Sequence, residues 1–168
     1  MQKTSALKAI SNEAIPRAIQ KAERYRLLNQ SWATESICLD VLEADPSHQQ
    51  ALVMLLLALT DQFGPEPRGL AHRAKGVLDR ITDPYQRHYY EGIIHERLGH
   101  AQLATNAMHA EKMAQDSLRS AMRCFEQAES LRQPGNDDAI LRWNTCARSL
   151  DSLRADDEGE AYEPHFGE

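Results

Sequence analysis

Residues 41–46 read VLEADP, and the Asp-Pro pair that closes this stretch returns at Asp83-Pro84. Proline disfavours the α conformation in the residue before it, so each pair is predicted to separate two helices. Apolar residues elsewhere recur every three or four positions, and no window shows the sustained alternation of a strand. The sequence therefore predicts an all-α protein. Its predicted helices cover residues 13–28, 31–44, 48–62, 69–81, 85–98, 101–132 and 137–153.

Small and aromatic residues stand at recurrent places on these helices, and they resemble the tetratricopeptide repeat family. The unit of that family has about 34 residues and ends in a proline. The resemblance covers residues 13–134 and the last helix. It implies an α-α superhelix of about three helical-hairpin repeats, closed by a C-terminal capping helix over 137–153. The residues that carry it, besides VLEADP, are Ala22, Tyr25, Ala51, Leu52, Ala104, Phe125, Ala128 and the stretch YYEGIIHERLG at 89–99, in which Gly99 is expected to end a helix.

The last predicted repeat is longer than the family pattern allows. From Pro84 to Pro134 the chain exceeds one repeat by about sixteen residues, which is about four and a half helical turns. We expect this excess to lie inside one extended helix over 101–132, about 48 Å long. The alternative is a break near residues 115–117, with Asp116 capping a new helix.

Charge is distributed unevenly along the chain. Residues 1–154 carry 19 basic and 19 acidic side chains, whereas residues 155–168 carry six acids and no Lys or Arg. A neutral body offers no electrostatic attraction to nucleic acid or to an anionic membrane, so neither partner is expected. The longest apolar run, residues 51–59, is too short to span a bilayer, and no signal peptide is recognisable. We expect a helical domain over 1–154, an acidic tail over 155–168 and a cytoplasmic location.

No catalytic or metal-binding pattern is recognisable in the sequence. It contains neither a GxSxG motif nor a glycine-rich phosphate loop. Cys38, Cys124 and Cys146 lie on apolar helix stripes and are expected to be buried thiols outside any disulfide. His95 and His100 are five residues apart, whereas the two histidines of the zinc motif HExxH stand four apart on one helical face. We therefore predict no enzyme, no metal site and no cofactor.

The resemblance to the repeat family implies a partner-binding groove lined by the first helix of each repeat. Its centre is expected at Tyr89 and Arg97, because aromatic and arginine side chains often dominate binding energy. Tyr90, turned about 100° away on the same helix, is expected to pack inside the hairpin. The residues expected to line the groove are Ile19, Glu23, Arg26, Gln50, Val53, Leu57, Gln86, Tyr89, Ile93 and Arg97.

The sequence thus predicts a non-catalytic protein-protein interaction scaffold that binds a peptide or an amphipathic helix of another protein. Two alternatives stay open: a metal-binding or enzymatic helical protein that uses the histidine cluster between His72 and His109, and a structural subunit of a larger assembly. The oligomeric state stays open as well. The tail, which contains Tyr162, His165 and Phe166, is expected to be solvated or to act as a short ligand for a groove.

Overall fold

The computed structural model describes the backbone of residues 5–160 and the side chains of residues 5–155. Within that part of the chain the structure is helical and contains no strand, which confirms the all-α prediction. A short 3-10 turn at Asn12–Ala14 precedes the first α-helix. The α-helices are α1 (Ile15–Leu27), α2 (Ser31–Ala44), α3 (Gln49–Asp61), α4 (Arg68–Leu78), α5 (Pro84–Leu103), α6 (Ala110–Ser130) and α7 (Asp138–Glu160).

Two helix starts are set by side chains that the sequence marks out. The carboxylate of Asp83 accepts a hydrogen bond from the backbone N–H of Gln86 at 2.8 Å, and Pro84 occupies the first position of α5. Proline is favoured there because the N–H groups of a first turn have no acceptor within the helix, so the N–H that proline lacks is not needed. At α7 the side-chain oxygen of Asn136 accepts a hydrogen bond from the N–H of Asp138 at 3.1 Å. These contacts satisfy amide donors that a helix start leaves unpaired.

The predicted helix over 101–132 is wrong, and so is the alternative break near 115–117. Helix α5 continues through Gly99 to Leu103, residues 104–109 form a connection, and α6 begins at Ala110. The connection ends at His109, whose φ of 65° is left-handed and breaks the helix. The physical reason is burial. Because the chain turns back at this connection, the apolar stripe of α6, including Leu118 and Phe125, packs against α5 and is not left exposed.

The chain divides into two compact units, Met1–Thr82 and Asp83–Glu168, where the sequence predicts one domain over 1–154. The boundary falls at the second Asp-Pro pair. In the first unit α1 packs against α2, α2 against α3, and α3 against α4. Helix α3 is the most apolar, and Leu52, Leu56 and Leu59 are fully buried on it. The hydroxyl of Thr34 on α2 donates a hydrogen bond to the carbonyl of Ala22 on α1 at 3.0 Å, inside this core.

In the second unit α6 packs against both α5 and α7. Its core is formed by Ile93 and Ile94 of α5, Leu118 and Phe125 of α6, and Cys146 of α7, all almost completely buried. Helix α7 extends to Glu160, beyond the predicted end at residue 153, so the first part of the predicted tail is helical. The tail residues Tyr162, His165 and Phe166 lie outside the described residues.

Glycines allow α5 and α6 to approach closely. A Cβ atom at Gly92 would lie 2.5–2.8 Å from three carbons of the Phe125 ring, and one at Gly99 would lie 3.1 Å from Leu118 and 3.2 Å from the carbonyl oxygen of Ala114. Gly92 and Gly99 are seven residues apart, so they lie on the same face of α5. Gly99, predicted as a helix terminator, is therefore a packing residue in the structure. In the described part of the chain, no helix is both long enough and apolar enough to cross a membrane.

Candidate functional site

The ten predicted groove residues are divided between the two units, six in the first and four in the second. Ile19 and Ile93 are buried in the cores of their respective units, so their side chains are not accessible to a partner. Arg26 is engaged in an ion pair, in which its Nε donates to the Asp61 carboxylate at 2.8 Å. The remaining seven are exposed or half-buried; they are Glu23, Gln50, Val53, Leu57, Gln86, Tyr89 and Arg97.

A cleft of about 350 Å³ lies in the second unit, between the start of α5, the end of α6 and the start of α7. Three tyrosines from α5 line it, and we call it the tyrosine cleft. It contains two of the predicted groove residues, Gln86 and Tyr89. Its lining residues are Asp83, Tyr85, Gln86, Tyr89, Tyr90, Leu131, Gln133, Asn136 and Asp138.

The aromatic rings of the cleft pack on one another and on the core. Tyr85 stacks on Tyr89 at a centroid distance of 5.8 Å and an interplanar angle of 13°, while Tyr90 meets Tyr89 edge-on at 5.2 Å. The Tyr89 ring also contacts buried Phe125 at 5.8 Å. These separations are typical of favourable aromatic pairs. Tyr89 therefore lines the cleft and also packs on the core of the hairpin, and Tyr90 lines the cleft beside it.

The cleft has an acidic rim. Asp83 and Asp138 line it, and none of its described lining residues is Lys or Arg. Burial raises the pKa of Tyr85; the hydrogen bond with Asn136 lowers it, but the charges of Asp138 and Asp83 and the neighbouring Tyr89 raise it further. The net direction is upward, so the Tyr85 hydroxyl keeps its proton at neutral pH.

A half-buried ion pair lies in the same unit. Glu96 of α5 is buried, and its carboxylate accepts hydrogen bonds from the Arg142 guanidinium of α7 at 3.4 and 3.5 Å. Burial works to lower the pKa of Arg142, but a hydrogen bond with Tyr89 and the charge of Glu96 outweigh that effect and raise it. Arg142 thus connects the tyrosine cleft to Glu96. The sequence analysis missed both members of the pair, because nothing in the spacing of α5 and α7 shows which charges will meet.

A second polar cluster lies between α5 and α6. Glu91, His95 and Cys124 each place one potential ligand atom within 4.8 Å of the other two. Cys124 is buried, and Glu91 and His95 are half-buried. The sequence analysis predicts no metal site, and it names His95 only beside His100 and within the histidine cluster between His72 and His109. Glu91 and His95 could have been found from sequence, since they are four residues apart and therefore share a helical face. Cys124 could not, because it comes from the other helix.

The three cysteines are free and buried, in agreement with the prediction. Burial raises the pKa of Cys38 to about 12 and that of Cys124 to about 11, with the charge of Glu91 adding to the effect at Cys124. Burial likewise raises the pKa of Cys146 to about 12, with a further contribution from Glu96. Since the thiolate is the reactive form, all three thiols are poor nucleophiles at neutral pH.

These pKa values predict slow thiol modification in the folded protein. At pH 8 the thiolate fraction should be about a hundredfold or more below that of an ordinary cysteine, and burial also hinders access. We expect EDTA-treated native protein to react much more slowly with Ellman's reagent than the guanidinium-unfolded chain, which should titrate all three thiols rapidly. A thiol that reacts as fast in the native protein as in the unfolded chain would contradict the burial and the raised pKa of that cysteine.

Comparison with known proteins adds no identification: no family model, no curated protein and no solved structure matches the chain.

Proposed function

We propose that the protein is a non-catalytic binding protein that recognises a basic segment of another protein in the tyrosine cleft. The observation that carries the proposal is the combination of three tyrosines and two aspartates in one cleft without a basic lining residue among those described. A Lys or Arg side chain of the partner fits this composition, since it can stack on the aromatic faces and pair with a carboxylate.

Two further properties of the cleft support a peptide or helix as the ligand. Tyrosines supply large contact areas at a small cost in side-chain entropy, and they are enriched at the energetic centres of interfaces. Leu131 offers an apolar contact beside them. The ligand we propose therefore has an Arg or Lys residue next to an apolar or aromatic residue.

We further propose that the fold is a tetratricopeptide-like array that works in the cytoplasm. Sequential packing of neighbouring helices in each unit and the Asp-Pro junctions support the first part. The free, buried cysteines support a reducing compartment, where thiols stay unpaired.

The proposal predicts a defined peptide preference. Selection of a random displayed peptide library on the full chain should enrich sequences with Arg or Lys beside an apolar or aromatic residue. The affinity of a selected peptide, measured by fluorescence anisotropy, should fall at least tenfold in Tyr85→Ala, because truncating a central aromatic anchor typically costs about 2 kcal/mol. It should fall less in Asp138→Asn, and that variant should show a weaker dependence on salt.

Trp32→Ala is the matched control, since Trp32 is an exposed aromatic residue of the first unit. It should leave the affinity unchanged. Tyr85 is preferred to Tyr89 for this test because Tyr89 also packs on Phe125. Asp138 is exposed, so its asparagine variant should fold even if Tyr85→Ala does not. The proposal would be overturned if the selected peptides lacked a basic residue. It would also be overturned if Tyr85→Ala and Asp138→Asn both bound the peptide as tightly as the wild type.

A further inference from the structure

The contact between Gly92 and Phe125 also determines the positions of three potential metal ligands. Glu91 precedes Gly92 on α5, and Cys124 precedes Phe125 on α6. Because the ring of Phe125 packs directly over Gly92, the neighbouring Glu91 and Cys124 are brought to the same edge of the helix pair. His95, one helical turn after Glu91, completes the cluster.

The donor atoms of this cluster suit zinc. A carboxylate oxygen, an imidazole nitrogen and a thiolate sulfur are the three ligand types that Zn²⁺ uses in proteins, at about 2.0–2.3 Å. In a tetrahedral site of those bond lengths the ligands are about 3.3–3.8 Å apart. The three ligand atoms here lie within 4.8 Å of one another, which is about 1 Å from the spacing that such a site needs.

Charge and burial also favour a divalent cation. Ionised Glu91 and a metal-bound Cys124 thiolate together neutralise an ion of charge +2, and the ion would displace the thiol proton on binding. Cys124 is buried, whereas Glu91 and His95 are half-buried, so one side of the site faces solvent. Three protein ligands with an open side are typical of zinc sites that keep a water in the fourth position.

We propose that Glu91, His95 and Cys124 bind one Zn²⁺ ion, with water as the fourth ligand. The site links α5 to α6 and does not depend on the peptide-binding function proposed for the tyrosine cleft. An ion that binds only the folded chain should stabilise it by mass action. At a hundredfold excess of free Zn²⁺ over the dissociation constant, we expect the melting temperature to rise by roughly 5–10 °C.

The test is calorimetric titration of ZnCl₂ into the full chain, purified without a histidine tag and freed of metal with EDTA. We expect saturable binding of one ion per chain. Glu91→Gln, His95→Ala and Cys124→Ser should each weaken binding at least tenfold. His100→Ala, an exposed histidine on the same helix, and Cys38→Ser, a buried thiol of the other unit, are the matched controls and should not change the affinity.

Cobalt provides a second readout that does not depend on the folding of any variant. Co²⁺ bound to the wild-type chain should give a thiolate-to-metal charge-transfer band in the near ultraviolet, and added Zn²⁺ should remove it by competition. The absence of saturable Zn²⁺ binding, the absence of that band, or unchanged affinity in folded Glu91→Gln and His95→Ala would each overturn the proposal.

Discussion

Gly92→Ala is expected to destabilise the second unit by about 2 kcal/mol or more. In most helix interiors the same change stabilises by about 1 kcal/mol, because alanine has the higher helix propensity. At this position the new methyl group would lie 2.5–2.8 Å from three ring carbons of Phe125. That ring is fully buried and also contacts Tyr89, so a shift of the ring would disturb the core around it. Overpacking of this kind typically costs 1–3 kcal/mol, and here it must also outweigh the propensity gain.

The matched control is Gly76→Ala in the last turn of α4. A Cβ atom at Gly76 meets nothing within 4 Å, so only the propensity term applies. We expect this variant to be about 0.5–1 kcal/mol more stable than the wild type. Urea denaturation followed by circular dichroism measures both changes. A Gly92→Ala variant as stable as Gly76→Ala would contradict the packing of α5 on α6.

A double-mutant cycle identifies the cause. Phe125→Leu removes the ring that the new methyl group meets, at its own cost in packing. In that background Gly92→Ala should be much less destabilising, and the interaction free energy of the cycle should exceed about 1 kcal/mol. If the two substitutions change stability additively, the destabilisation by Gly92→Ala arises from something other than contact with Phe125.

A second glycine of α5, Gly99, illustrates how far the sequence predicts this fold. Periodicity and Asp-Pro pairs predict the helical class and most helix positions, because both are local signals. The end of α5 was predicted wrongly, because glycine has two opposite meanings in a helix. It can close a helix through its left-handed conformation, or it can admit a close neighbour. At Gly99 the neighbour is Leu118 of the next helix, and no local signal identifies it.

The candidate sites show the same limit. The resemblance to the repeat family implies Tyr89 and Gln86 as groove residues, and both are among the residues that line the tyrosine cleft. Asp138 stands at the start of α7, and its position at the cleft follows only from the packing of α7. Cys124 was predicted to be buried, and its proximity to His95 depends on the register between α5 and α6. Sequence spacing within one helix predicts shared faces, whereas residues that meet across helices require the packing itself.

Arg142→Met is expected to have the other large effect on stability, a loss of about 2–4 kcal/mol at neutral pH. It leaves the carboxylate of Glu96, whose side chain is only 4% exposed, without its counter-charge. Breaking a fully buried pair costs 3–5 kcal/mol, and we expect somewhat less because the Arg142 side chain is 39% exposed. Arg148→Met, at an exposed position on the same helix, is the matched control and should change stability by less than about 0.5 kcal/mol. Thermal and urea unfolding measure both variants.

The decisive observation is an asymmetry between the two partners. Glu96→Gln leaves Arg142 partly accessible to water, so it should cost clearly less than Arg142→Met, which strands the buried carboxylate. Adding Glu96→Gln to Arg142→Met should therefore recover part of the lost stability. Equal losses of stability in the two single variants, or no recovery in the double variant, would show that Arg142 does not compensate the buried charge of Glu96.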